Sequence, residues 1–185
     1  MPVILFHSGI GIFSGGYVGV DVFFVISGYL ITTIILAELD KESFSITNFY
    51  ERRARRILPV LFFIVLFCVP FALYVLLPDA LVKFGHSLIA VPTFSSNVLF
   101  WSERGYFGTA SEMKPLVHTW SLAVEEQFYL LFPLVLIVLS KYSRKWTWLF
   151  ILFIIIISLC LSWYLTRLHF ESAFYLPFAR AWELM

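Results

Sequence analysis

The sequence predicts an all-α protein, a polytopic transmembrane helical bundle truncated at both ends. Three observations lead there. Of 185 residues, 61% are hydrophobic and only 14% charged, whereas soluble domains hold about 45–50% apolar and about 25% charged residues; the mean hydropathy is +0.89. The apolar residues gather into runs close to the ~20 that a helix needs to cross the hydrocarbon core. The alternating ~10-residue segments of an outer-membrane barrel are absent.

Residues 1–13, MPVILFHSGIGIF, are apolar but too short to cross, and read as the end of a helix whose start is missing. Residues 17–39 make the first full span, interrupted by Asp21, with Gly15, Gly16, Gly19 and Gly28 allowing close helix packing. In the polar segment that follows, DKESFSITNFYERRARR, Ser45 or Thr47 can cap a short amphipathic helix. Residues 57–77 form a second span with Pro70 as a kink point. Residues 86–101, HSLIAVPTFSSNVLFW, carry Pro92, Ser95, Ser96 and Asn97. A lipid-facing helix does not tolerate that many polar groups, so a re-entrant or broken helix is expected. A Gly-, Ser- and charge-rich loop at 102–117 leads to a third span at 120–139 and the basic segment KYSRK. Residues 147–166, nearly unbroken Ile, Leu and Phe, are the expected lipid-facing span, and 172–185 a partial helix. All of 1–185 is read as one partial transmembrane domain.

Basic residues set the orientation. Five of the 13 lie between Arg52 and Lys83, four of them in RRARR. With RRARR and KYSRK both cytoplasmic, the segment from His7 to Tyr17 lies outside, as does the end of span 57–77. Span 120–139 then starts outside, and residues 79–119 begin and end on that side, as a re-entrant segment requires. Cys68 and Cys160 sit in apolar runs and suggest neither a disulfide nor a metal site. No secretory signal, Walker loop, GxSxG elbow or HExxH is present. The six Trp and nine Tyr fit interfacial anchors, with no stacking motif for nucleic acid.

The chemistry-bearing stretch is HTWSLAVEEQFYL, residues 118–130. On a helix His118, Ser121, Glu125 and Tyr129 share one stripe. A carboxylate at the bilayer centre costs about 2.5–3.5 kcal/mol on insertion scales, so adjacent Glu125 and Glu126 need partners or a polar cavity. Either the stripe lines a polar pocket, or the two acids pair with Arg or Lys and anchor the helix. Asp21 is a third intramembrane acid, whose simplest partner is a basic group or His7 on a neighbouring helix. His7 has the side chain best suited to acid–base work near neutrality, though a histidine at a helix end is often only interfacial. Arginine forks match phosphate geometry, so Arg52, Arg53, Arg55 and Arg56 are either a topology signal or a phosphate site.

Three segments together, LFHSG with GGYVGVDVFFVISGYLIT (residues 5–32), FYERRARRILP (49–59) and PLVHTWSLAVEEQFYLLFP (115–133), resemble the acyltransferase 3 family of membrane acyltransferases. GYF (105–107) and FARAWEL (178–184) fit the same pattern. The wording most resembles bacterial members that modify surface polysaccharide, such as lipopolysaccharide O-antigen acetylases. The resemblance implies transfer of an acyl group, usually acetyl, from cytoplasmic acyl-CoA to a sugar hydroxyl across the inner membrane. It implies no bound cofactor, acetyl-CoA as donor substrate, a carbohydrate acceptor and the lipid bilayer as partners. It also implies about ten transmembrane helices, so this chain corresponds to roughly the first half. An SGNH hydrolase-like domain that often follows in such proteins is not in the sequence, nor is the basic residue the family places before the essential histidine.

By the same resemblance, His7 is the base for the acceptor hydroxyl or a covalent acyl carrier. Glu125 and Glu126 orient or charge-balance a reacting group. Asp21, His118, Trp120 and Ser121 shape the pocket, and Arg52, Arg53, Arg55 and Arg56 meet the phosphates of CoA. The sequence also admits a transporter or flippase, which needs the same intramembrane acids and broken helices, and an inactive truncated fragment.

Overall fold

The computed structural model describes residues 15–103, 114–142 and 144–185. Among them the chain is an all-α bundle without strands. A 3₁₀ turn at Gly16–Val18 leads into α1 (Gly19–Asp40), followed by α2 (Ile46–Val75), α3 (Pro78–Ala90) and α4 (Ser96–Ser102). Then come α5 (Thr119–Ser140), α6 (Arg144–Leu168), α7 (Phe170–Tyr175) and α8 (Pro177–Leu184). Four helices, α1, α2, α5 and α6, are long and apolar enough to cross a membrane.

The expected amphipathic helix and second span are one helix. Ser45, in extended geometry, accepts the Asn48 amide and caps α2, which then runs 30 residues through both Pro59 and Pro70. At 1.5 Å per residue that is about 45 Å, more than the ~30 Å hydrocarbon core, so its basic first turns lie outside the apolar stretch. The helix persists because the capped, charge-paired first turns and the apolar run share one register. Ahead of it, Glu42 takes a left-handed conformation (φ 52°) and the Ser43 amide bonds back to the Glu38 carbonyl, reversing the chain between α1 and α2.

The polar segment at 86–101 is broken, as its composition requires. The break falls at Val91–Ser95, where Phe94 has φ 51° and the Ser95 amide bonds to the Ala90 carbonyl. The Thr93 hydroxyl bonds to the carbonyls of Ile89 and Ala90. With 13 and seven residues, α3 and α4 are about 20 and 10 Å long, too short to cross. The expected partial helix at 172–185 is likewise two short helices, interrupted at Leu176, whose extended backbone precedes Pro177.

Two apolar clusters hold the bundle. The larger joins α1, α5 and the C-terminal helices through Phe24, Ile35, Val124, Phe132, Tyr175 and Leu184. The smaller seats α2 on α3 through Leu61, Val65, Ala72 and Phe84. Along α6 apolar side chains such as Leu152, Phe153, Ile156 and Ile157 stay exposed, the surface expected of a lipid-facing helix. Exposed Trp146 and Trp148 stand at one end of α6 and exposed Trp163 and Tyr164 at the other. The 18 residues from Trp146 to Tyr164 rise about 27 Å, close to the thickness between two interfacial aromatic belts.

Helices α1 and α8 approach closely at Gly28. A Cβ at Gly28 would overlap the Leu184 backbone carbonyl, whereas at Gly15 it would meet open space. Gly28→Ala is therefore expected to force the two helices apart and cost at least about 1–3 kcal/mol as overpacking. Gly15→Ala should be near neutral. Thermal melts of the two variants in one detergent test the difference, and equal midpoints would contradict the packing.

Candidate active site

Among the described residues, two clusters of charged groups inside the bundle are built against α5; a further buried pair, Lys114 with Glu103, lines a small cavity beside α3. In the first, α2 crosses α5 so that the Tyr50 hydroxyl donates to the Leu130 carbonyl at 2.7 Å and Arg53, one turn on, reaches Glu126 at 3.6 Å. The Arg53 guanidinium also lies 3.7 Å from the centroid of the Tyr129 ring, a cation–π distance. The Tyr129 hydroxyl donates to the Glu125 carboxylate. Glu125 and Tyr129 are one turn apart on α5, and both are buried. One cation therefore meets an acid and a phenol ring directly, and the second acid, Glu125, is joined to them through the Tyr129 hydroxyl. The Arg53–Glu126 separation exceeds hydrogen-bond length, and the buried Glu126 Oε1 has no hydrogen-bond partner among the described residues.

In the second cluster, Arg180 of α8 binds Asp21 of α1 at 2.5 Å and Glu183, one turn along α8, at 2.9 Å. Its Nε donates to the Phe174 carbonyl at 3.3 Å. Its guanidinium lies 5.6 Å from the Trp120 ring centroid. Trp120 packs edge-on against Phe24 of α1 and 4.4 Å from Phe174 of α7. Asp21 occupies the first turn of α1, where the helix dipole favours a carboxylate. Glu125 follows Trp120 by five positions on α5, so about 7.5 Å of helix joins the two clusters.

The sequence-predicted residues divide as follows. His7 lies outside the described residues, as does GYF at 105–107. Glu125 and Glu126 stand on adjacent positions with different partners, Tyr129 and Arg53, so of the two acids it is Glu126 that pairs with an arginine. Asp21 has a basic partner, but it comes from 159 residues away. His118 is exposed on the turn before α5, and its carbonyl accepts the Ser121 hydroxyl at 3.2 Å. Trp120 is buried between the charge clusters. The four arginines split: Arg53 turns inward, whereas Arg52 pairs with Glu38, Arg55 with Glu51, both at the surface, and Arg56 is exposed. Neither of the two described cavities is lined by the acids of these clusters.

Sequence reasoning did not single out Arg180, Glu183 or Gln127. Arg180 and Glu183 are the only charges of FARAWEL, at i,i+3 spacing, which was the available signal. Gln127 exchanges amide hydrogen bonds with fully buried Asn97, its Nε2 donating at 2.9 Å. The same nitrogen also donates to the Phe94 carbonyl at 2.7 Å. Asn97 in turn donates to the Tyr175 carbonyl at 3.1 Å. These bonds lock the broken segment against α5 and α7.

A helical bundle with four candidate spans and paired charge among them defines a multi-pass membrane protein. Residues 2–181 match the acyltransferase domain family known as acyltransferase 3, and the chain belongs to it. It is 38% identical over 135 residues to O-acetyltransferase OatA of Staphylococcus aureus, covering 72% of this chain and 22% of that protein. It is also 38% identical over 173 residues to an uncharacterized protein of Haemophilus influenzae, covering 89% of this chain and 70% of that one. The chain thus spans about a fifth of the length of the staphylococcal relative. No solved structure matches significantly.

Removing Arg180 would leave two carboxyls inside the bundle without their cation, a loss of about 3–5 kcal/mol for a buried pair. Arg180→Gln should therefore melt far below the parent in detergent, and the triple change Arg180→Gln, Asp21→Asn, Glu183→Gln should recover much of the loss. At the surface, Arg55→Gln should change stability by less than about 0.5 kcal/mol. Equal melting of Arg180→Gln and Arg55→Gln would show that the Arg180 cluster is not structural.

Proposed function

We propose that the chain is part of an integral inner-membrane O-acetyltransferase. It moves an acetyl group from cytoplasmic acetyl-CoA to a hydroxyl of a cell-surface carbohydrate such as lipopolysaccharide O-antigen. The observation that carries the reading is the Arg53 cluster, where a guanidinium turned into the bundle meets Glu126 and the Tyr129 ring, Tyr129 in turn holds Glu125, and Glu126 Oε1 has its ion pair with Arg53 but no hydrogen-bond partner among the described residues. The likeness to a protein named O-acetyltransferase supports the reaction class.

The chemistry needs three things. A base must take the proton of the acceptor hydroxyl, the oxygen must meet the thioester carbonyl, and the developing oxyanion must be balanced. His7 is assigned the first role. The sugar oxygen attacks the acetyl carbonyl, the tetrahedral intermediate expels the CoA thiolate, and the thiolate takes up the proton to leave acetyl ester and CoA thiol. Glu126 Oε1 accepts a hydrogen bond from the substrate side, and Arg53 supplies positive charge near the carbonyl oxygen. Glu125 holds Tyr129, whose ring in turn supports Arg53. Trp120 and Asp21 wall the outer end, with His118 and Ser121 at the mouth. Arg52, Arg55 and Arg56, exposed on the inner side, offer forks to the phosphates of acetyl-CoA.

Two outcomes are expected in membranes containing the full-length protein and radiolabelled acetyl-CoA. His7→Ala should abolish transfer of label to envelope glycan, whereas retained labelling would remove His7 from the base role. Arg52→Gln, Arg55→Gln and Arg56→Gln should each raise the KM for acetyl-CoA several-fold with little change in kcat, because ground-state phosphate contacts act on binding. Unchanged KM in all three would leave the cluster as a topology signal only.

A further inference from the structure

We infer that the groove between α4 and the α6–α7 junction is a subsite for a neutral pyranose oligosaccharide. The inference rests on the reading that the acceptor is a surface carbohydrate. The groove has a volume of about 550 Å³ and is lined by Trp101, Ser102, His169, Phe170, Glu171 and Ser172, among others. That is within the range of small-ligand sites, roughly 300–1,000 Å³, and large enough for a few sugar rings.

Its lining has the chemistry of polyol binding. Trp101 and Phe170 are 40% and 61% exposed, so they present apolar ring surface to the C–H faces of a pyranose. The Trp101 indole donates its N–H to the Ser172 hydroxyl at 3.0 Å, which holds the ring in place and ties α4 to α7. Glu171 accepts hydrogen bonds from sugar hydroxyls, while His169 and Ser102 can donate or accept. Among the described residues no lysine or arginine lines the groove, and the Glu171 carboxylate opposes an anion, so a phosphorylated lipid headgroup is disfavoured.

Position supports the same occupant. Trp163 and Tyr164 mark the interfacial level on α6, and Arg167 stacks over Trp163 at 4.3 Å. The groove begins at Leu168, immediately beyond this belt, on the water side of the end of α6 opposite KYSRK. Rings also connect it to the candidate active site. Phe170 stacks on Phe174 at 6.2 Å, and Phe174 packs on Trp120 at 4.4 Å, against the Arg180 cluster. A glycan lying on Trp101 and Phe170 would therefore rest on the ring stack that packs against the Arg180 cluster.

The test is saturation-transfer NMR on the full-length protein in lipid nanodiscs without acyl donor, with chitotetraose and maltotetraose as probes. Transfer to ring C–H protons of at least one tetrasaccharide is expected. Phe170→Ala and Trp101→Ala should each weaken binding about tenfold, the loss of one aromatic contact, and Phe170→Tyr should bind as the parent does. Phe170 is exposed, so its variants isolate the stacking surface from folding. No transfer to either sugar, equal affinity of parent and Phe170→Ala, or transfer confined to lipid headgroup protons would each overturn the subsite. Lost sugar binding with intact acetyl transfer overturns the subsite alone. Retained sugar binding without acetyl transfer overturns the proposed reaction alone.

Discussion

Two arginines set inside an apolar bundle constrain everything around them. A guanidinium stays protonated, so a helix that carries one through a low-dielectric interior must meet carboxylates there. Arg180 meets Asp21 and Glu183; Arg53 meets Glu126 and the ring of Tyr129. The Arg180–Asp21 and Arg53–Glu126 pairs join helices remote in sequence, and each would be costly to break because the partner acid would remain behind. The pairing also bears on helix spacing. Arg180 reaches Asp21 only because α8 lies against α1, and α8 lies there only because Gly28 has no side chain.

Apolar burial then completes what the charges register. The core between α1, α5 and α7 is aromatic, with Phe24, Trp120, Phe174 and Tyr175 meeting edge-on or tilted. Between helices in lipid there is little hydrophobic driving force, so such shape-specific contacts and interhelical hydrogen bonds decide the arrangement. Ser158 illustrates this: its hydroxyl donates to the Phe178 carbonyl at 2.7 Å and accepts the Trp182 amide at 3.1 Å, holding α8 on α6. Elsewhere on α6 side chains such as Leu152, Phe153 and Ile156 are exposed among the described residues and are left to the acyl chains.

Much of this was legible in the chain. The composition specified a helical membrane bundle, the Ser–Asn content of 86–101 required a break, and the Ile-rich run of α6 marked the lipid face. Asp21, Glu125 and Glu126 stood out as acids that need partners. The partners themselves were not legible. Asp21 and Arg180 are 159 positions apart, and nothing in local spacing links them. Arg53 differs from Arg52, Arg55 and Arg56 only in the direction its helix turns it. The union of the amphipathic segment with the second span was also hidden, because an apolar run and a charged run can share a helix as readily as be separated by a loop.

What the sequence by itself determined is therefore the solvent of each segment, since the cost of placing a polar or charged group in hydrocarbon is a property of the residue. What only the tertiary structure decided is which charge meets which. That depends on helix approach and rotation, set by Gly28, by the Ser158 and Asn97–Gln127 bonds and by ring packing at Trp120, all of which act between segments distant in the chain.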